Sequence, residues 1–135
     1  MTQFKRIEKN GVHFATFVSG EQWSEGLSFF SAGADFVQVG TWNYNAGKEL
    51  LAHKHNIVLR EANRTQEVIF VVSGALQANV MDEEGLLIEQ LVLNKNDTLI
   101  LLAGAHSYKI LENGTRVLEV KNGPYFGAEA DRVRI

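Results

Sequence analysis

Cysteine is absent from this chain of 135 residues, and proline occurs only once. Without cysteine, the chain can form no disulfide framework and no thiolate metal site, and it offers no thiol nucleophile. Basic residues are outnumbered, thirteen against sixteen acidic ones, so the net charge of −3 does not indicate a nucleic-acid partner. No apolar run approaches the roughly 20 residues of a membrane span, so we expect no membrane partner.

The length and the N-terminus indicate one cytoplasmic domain. A chain of this length can bury roughly two thirds of its unfolded surface. No linker or repeat divides it, so we expect a single domain over residues 1–135. Met1–Arg6 contains early charge, and no apolar stretch follows it. This is not the pattern of a signal peptide, and we expect a cytoplasmic protein.

Short apolar or alternating runs, separated by turn residues, dominate the chain. Their β-branched and aromatic residues favour strands over helices, and their close spacing predicts an all-β sandwich or barrel. Only Glu21–Leu27 is compatible with a helical turn. The predicted strands are Val12–Val18, Leu27–Phe30, Phe36–Asn45, Leu50–Leu59, Gln66–Ser73, Ala75–Met81, Leu86–Leu93, Thr98–Leu102, His106–Leu111 and Arg116–Lys121.

The run Val68–Val72 is apolar on both faces of its predicted strand. Successive side chains point to opposite faces, so such a strand needs cover on both sides. A second sheet supplies one cover, and a subunit interface would supply the other, which favours a homodimer. In the alternative interpretation, residues 1–40 fold over this face within a monomer.

The positions of the histidines indicate a metal site. His53 and His55 are two apart in a predicted strand, so both imidazoles project from the same face. Glu67 lies near the start of the next predicted strand and shares a face with Ile69 and Val71. A carboxylate on an inward face is costly unless it is paired or bound to a metal.

His106 follows another apolar run and is the third candidate histidine. With the residues above it would form a site of three nitrogens and one oxygen, which suits one divalent ion of iron, manganese, nickel, zinc or copper. In the alternative interpretation, the paired histidines are solvated, Glu67 is solvated at the mouth of its strand, and His106 is a hydrogen-bonded core or loop residue. The fourth histidine, His13, has no partner in the sequence and is interpreted as structural.

These residues resemble the first motif of the cupin superfamily. That motif is Gly, five residues, His-x-His, three or four residues, Glu, six residues, Gly. Here Gly47 precedes His53-Lys54-His55 by five residues, and six residues separate Glu67 from Gly74. Eleven residues, 56–66, stand between the histidines and Glu67. We interpret them as a longer hairpin between two metal-bearing strands.

The second cupin motif is matched in part. Asn96-Asp97 stands where Gly-Asp is usual, and Gly104-Ala105-His106 ends the motif. A leucine replaces the proline of the motif, and Ile110 stands where its asparagine is expected. The chain is also similar to small single-domain bacterial cupins with a Gly-Pro-Tyr segment near the C-terminus, here Gly123-Pro124-Tyr125.

The resemblance implies a double-stranded β-helix, or jelly roll: a single cupin domain with N-terminal strands and a short C-terminal extension. The implied metal ligands lie inside the barrel near one open end, with Gln66 as the adjacent alternative to Glu67. They are His53, His55, Glu67 and His106. Residues 131–135 are expected to form an edge strand or to cross to a partner subunit.

Three further residues are candidates for a catalytic or binding role. Arg60 and Arg64 lie in the predicted hairpin, where a guanidinium could grip a carboxylate or phosphate; the alternative is solvated loop charge. Tyr108 should share a face with His106 and reach the pocket. Lys121, at the end of the last predicted strand, is expected to point outside.

The resemblance implies a metal-binding protein, and an enzyme of this kind would be a metal-dependent isomerase or oxygenase acting on a small molecule. The ligand could be a carbohydrate or a carboxylate, and Trp42 and Tyr44 could stack on a sugar. One alternative is a metal-free sugar-nucleotide isomerase or epimerase of polysaccharide biosynthesis, with His53 or His55 as base and Tyr108 as acid. The other is a non-catalytic module that binds a small ligand.

Overall fold

A computed structural model describes residues 4–21 and 23–135 of the chain. Met1–Gln3, on which part of the signal-peptide expectation rests, lie outside the described residues. So does Gln22, which falls within the predicted helical turn Glu21–Leu27. Among the described residues, no helix has the length and apolar character needed to cross a membrane.

The described chain forms ten strands and one short helix, which confirms the all-β class. Neighbouring strands in every sheet run antiparallel. The strands are β1 (Phe4–Lys9), β2 (Val12–Val18), β3 (Gly26–Phe29), β4 (Gly40–Asn43), β5 (Glu67–Ser73), β6 (Ala75–Met81), β7 (Leu87–Asn94), β8 (Thr98–Leu101), β9 (Ala105–Ile110) and β10 (Arg116–Lys121), and the helix is α1 (Ala128–Asp131).

The strands are divided among three sheets. A five-stranded sheet has the order β1-β2-β8-β5-β10, a three-stranded sheet has the order β7-β6-β9, and β3 and β4 form a separate hairpin. In the part of the chain that the structure describes, these sheets do not join into a closed barrel. Strand β10 is an edge of the larger sheet and β9 is an edge of the smaller one.

The main core lies between the two larger sheets. Ile69 and Val71 of β5 are buried in one apolar cluster with Leu76 and Val80 of β6 and with Leu99 of β8. Because side chains alternate along a strand, these residues of β5 all belong to its inner face. The core therefore fixes one face of β5 against β6.

The opposite face of β5 is covered by the same chain. Val68 packs against a second cluster that contains Ile100 and Leu102 together with Val37, while Phe30 and Val39 also pack there. The segment between β3 and β4 thus supplies the second cover that the apolar run requires. This is the intrachain cover of the alternative interpretation; the homodimer stays a prediction.

The predicted and observed strands agree closely over much of the chain. Val12–Val18, Ala75–Met81 and Arg116–Lys121 are strands with the predicted bounds. The predicted strand Phe36–Asn45 is reduced to β4, because the Gln66 side chain accepts hydrogen bonds from the backbone N–H groups of residues 36 and 37 and holds them outside a sheet.

The predicted strand Leu50–Leu59 is wrong. No strand forms between β4 and β5, and every residue from 42 to 64 is exposed. Apolar residues in this segment favour a strand locally. A strand, however, needs a neighbouring strand to satisfy its backbone N–H and C=O groups, and no described strand pairs with this segment. Of the two C-terminal alternatives, the edge strand is wrong, since α1 ends at Asp131 and residues 132–135 form no strand; the crossing to a partner subunit stays a prediction.

We predict that Leu99→Ala destabilises the fold by about 2–5 kcal/mol, because it opens a cavity where β8 packs between β2 and β5. Leu99 is 0% exposed, whereas Leu86, in the turn before β7, is 61% exposed. Leu86→Ala is therefore the matched control, with an expected change within about 0.5 kcal/mol. Urea unfolding measures both values, and equal losses for the two variants would contradict the assigned core.

Candidate functional site

Glu67 is a buried carboxylate at the end of an apolar strand. It is the first residue of β5 and lies on the same face as Ile69, with only 7% of its surface exposed. Its antiparallel neighbours are Leu101 of β8 and Lys121 of β10. A charge in such a position must be paired or hydrogen-bonded, so its contacts define the candidate site.

Three side chains from two sheets converge on this carboxylate. His106 Nε2 lies 3.2 Å from Glu67 Oε1, and the Tyr108 hydroxyl donates a hydrogen bond of 3.2 Å to the same oxygen. Lys121 Nζ lies 3.7 Å from Glu67 Oε2. His106 and Tyr108 share one face of β9, because they are two residues apart on a strand. The cluster therefore joins the edge strands β9 and β10 through the first residue of β5.

The electrostatics of the cluster favour an ionised Glu67. Burial raises the pKa of this carboxyl, but the hydrogen bond and charge of His106, the charge of Lys121 and the hydrogen bond from Tyr108 outweigh burial and lower the pKa below 4.5. Burial and the negative charge of Glu67 raise the pKa of the Tyr108 phenol. The hydrogen bond to Glu119, at 3.1 Å, is the main cause that raises the pKa of Lys121. At neutral pH, the site therefore presents an anion, a protonated phenol and an ammonium group.

Gln66 and Glu67 have different surroundings. The Gln66 side-chain oxygen accepts hydrogen bonds from the N–H groups of Phe36 and Val37, and its nitrogen donates to the carbonyl of Leu102. Gln66 thus anchors the segment that covers the outer face of β5. Of the two alternative ligands, Glu67 is the one that contacts His106.

His53 and His55 lie on the exposed segment between β4 and β5. Their ring centroids are 5.2 Å apart in an edge-to-face arrangement, and His53 Nδ1 lies 3.1 Å from the carbonyl oxygen of Leu51. Within residues 4–21 and 23–135, no group of three or more histidine, aspartate or glutamate side chains is arranged to hold a metal ion. The structure thus brings Glu67 and His106 together but does not bring His53 and His55 to them.

The Glu67–His106 pair matches the spacing of two ligands on one ion. Metal bonds to imidazole nitrogen and carboxylate oxygen are about 2.0–2.2 Å long, so two such donors at right angles lie about 3 Å apart. The observed separation between Nε2 and Oε1 is 3.2 Å. This separation is that of a direct hydrogen bond between the two groups, and it is also that of two adjacent donors, one nitrogen and one oxygen, on a divalent transition metal.

The two candidate arginines and Lys121 occupy different surroundings. Arg60 donates a hydrogen bond to the carbonyl of Val58 in its own segment, and an Arg64 nitrogen lies 3.9 Å from a carboxylate oxygen of Glu83. Both side chains are exposed. Lys121 is exposed, as expected, and its ammonium nevertheless lies 3.7 Å from Glu67, because the antiparallel register places the two residues opposite each other. The sequence contains no signal for that register.

The remaining aromatic and histidine predictions concern other parts of the fold. Trp42 is 63% exposed, and Tyr44 lines a surface recess of about 330 Å³ with the Lys48 ammonium 5.5 Å from its ring centroid. Neither residue belongs to a core cluster. His13 Nε2 lies 2.9 Å from the Ala15 carbonyl oxygen and 2.7 Å from the Thr16 hydroxyl, which matches a structural role.

Comparison of the chain with protein-family models, with curated proteins and with solved structures found no match.

We predict that Tyr108 ionises above the ordinary phenol pKa of 10.0 in the folded protein. The folded state then holds a proton that the unfolded state releases, so stability falls as the pH rises above 10. Subtracting the ultraviolet titration of Tyr108→Phe from that of the wild type isolates this phenol. In Glu67→Gln the titration should move to lower pH, since a negative charge is removed. A Tyr108 titration at 10.0 in both proteins would contradict this geometry.

Proposed function

We propose that the protein is a metal-binding enzyme of the cupin type that acts on a small molecule, with Glu67 and His106 as two of its ligands. The observation that carries this proposal is the buried carboxylate that meets an imidazole 3.2 Å away, across two sheets. A carboxylate and an imidazole at this spacing form half of the three-nitrogen, one-oxygen set that the cupin resemblance implies. The proposed fold is accordingly a jelly roll over a single domain, residues 1–135.

A bound divalent metal would supply Lewis-acid or redox chemistry, for an isomerisation or an oxygenation respectively. The chain's own groups would orient the substrate beside it. Tyr108 holds a proton at its hydroxyl and donates it toward Glu67, and Lys121 supplies a positive charge on the other carboxylate oxygen. Such groups favour a substrate that carries a carboxylate or several hydroxyls, as in a sugar.

A metal-free isomerase or epimerase is the second candidate function. It is favoured by the convergence of His106 and Tyr108 on one carboxylate oxygen. Glu67 would orient the imidazole as a general base, and the phenol, with its raised pKa, would act as a proton donor. In this scheme His106 takes the place of His53 or His55 as the base. A non-catalytic module would use the same groups only to bind.

Reconstitution with Fe(II), Mn(II), Ni(II) or Zn(II), followed by elemental analysis, tests the first proposal. We expect about one metal ion per chain for at least one of these ions. His106→Ala and Glu67→Gln should each lose at least tenfold in affinity, because each removes one of the adjacent donors. Glu119→Gln is the matched control: its carboxylate contacts Lys121 on the same strand, and metal binding should be retained.

Circular dichroism establishes that each variant is folded before its metal content is compared. A folded wild-type protein that binds none of the four ions would overturn the metal proposal and favour the acid–base alternative. Equal metal content in His106→Ala, Glu67→Gln and the control would show that the ligands lie elsewhere.

A further inference from the structure

One exposed segment and one strand edge of this molecule each lack a neighbouring strand within the described residues. Residues 49–60, here called the exchange segment, contain strand-forming apolar residues but pair with no strand in the described part of the chain. Among the strands that the structure describes, β9 pairs with β6 on one side and with none on the other. We infer that the exchange segment of one copy adds as a strand to the β9 edge of a second copy, and that His53 and His55 thereby reach Glu67 and His106 of that copy. The metal-binding part of this inference rests on the proposed function.

The exchange segment exposes more apolar surface than a free loop normally carries. Leu51 is 82% exposed, Leu59 is 87% exposed and Ile57 is fully exposed. Loops are usually polar, and a contiguous group of exposed apolar side chains marks an interaction surface. The segment therefore has the composition of a buried strand in the position of a loop.

The β9 edge carries a matching apolar surface. Tyr108 and Ile110 lie on the site face of β9 and are 38% and 58% exposed. An unpaired strand presents a row of free backbone N–H and C=O groups that another strand can pair with. Addition of a strand to β9 would satisfy these groups and cover the apolar side chains together.

A second copy is the occupant that satisfies both features at once. Every residue from 42 to 64 is exposed, so the exchange segment does not cover the β9 edge of its own chain. Each copy carries one exchange segment and one β9 edge. Two copies related by a two-fold axis can therefore exchange segments reciprocally, which is the symmetric, closed arrangement of a domain-swapped dimer.

The exchange also unites the two halves of the metal site. His53 and His55 lie side by side on the exchange segment, with ring centroids 5.2 Å apart. Glu67 and His106 form the other pair on β5 and β9. Two donors from each copy make the full set of three nitrogens and one oxygen, so each site in the dimer is incomplete without the other copy.

Cysteine cross-linking tests the exchange without reference to any metal. If His53 and His55 face His106, strand alternation places Lys54 beside Ser107 on the opposite face. The chain contains no cysteine, so Lys54→Cys and Ser107→Cys each introduce the only thiol. Mixing the two variants, one of them carrying a size tag, and oxidising with diamide should give a covalent dimer of mixed size.

In the control mixture, Lys95→Cys, in the exposed turn before β8, replaces Ser107→Cys. This mixture should yield at least tenfold less mixed dimer. Equal yields in the two mixtures would overturn the exchange. The double variant Lys54→Cys/Ser107→Cys provides a second measurement. A disulfide that forms within one chain, at monomer mass, would show that the exchange segment pairs with its own β9 and would also overturn the inference.

Metal complementation tests the shared site. Copies with His53→Ala/His55→Ala are mixed with copies carrying Glu67→Gln/His106→Ala, after partial unfolding and refolding together. Random pairing makes about half of the dimers mixed. Each mixed dimer has one intact site out of two, so the mixture should bind about one quarter of the wild-type metal per chain. Each variant alone should bind none. A mixture that stays metal-free beside a wild type that binds metal overturns the shared site and leaves the proposed function standing.

Discussion

Strand β5 must be covered on both faces, and the arrangement of the other elements follows from this constraint. Its inner residues, Ile69 and Val71, pack into the core against β6, and Val68 on its outer face packs against the cluster around Val37. The covering segment is held in turn by Gln66, whose side chain bonds to its backbone and to the carbonyl of Leu102. An apolar strand with two covers provides a rigid base, and Glu67 stands at its first position.

The burial that this packing imposes also determines which partners the Glu67 carboxylate needs. Burial opposes ionisation of its carboxyl, so an anion persists there only with hydrogen-bonded or charged partners. His106 and Tyr108 come from the smaller sheet and Lys121 from the larger one, so these partners also hold the two sheets in a fixed relation at this end of the molecule. Packing and electrostatics are therefore joined in one residue: removal of the carboxylate would leave an ammonium and a phenol without their shared acceptor.

Much of the fold was predictable because its signals are local. Alternation and turn residues predict Val12–Val18 and Ala75–Met81 with their observed bounds. Asn10-Gly11, with backbone φ of 50° and 77°, is a two-residue hairpin signal that would have predicted β1. Strand pairing is not local, however. The register that brings Lys121 to Glu67 depends on residues far apart in the chain, and so does the lack of a partner for Leu50–Leu59. Neither follows from the local sequence.

The sequence predicts the residues of the candidate site, but not how they come together. A site divided between two copies would also have a thermodynamic consequence. The spacing of His53 and His55 predicts that their imidazoles lie on the same side of the chain, and the two rings are adjacent in the structure. In the proposed shared site, the copy of the chain that would supply them to Glu67 and His106 is determined by assembly. A metal site divided between copies couples ligand binding to association, because an ion that binds only the assembled state stabilises that state by mass action. Such coupling would make metal occupancy and subunit assembly a single equilibrium.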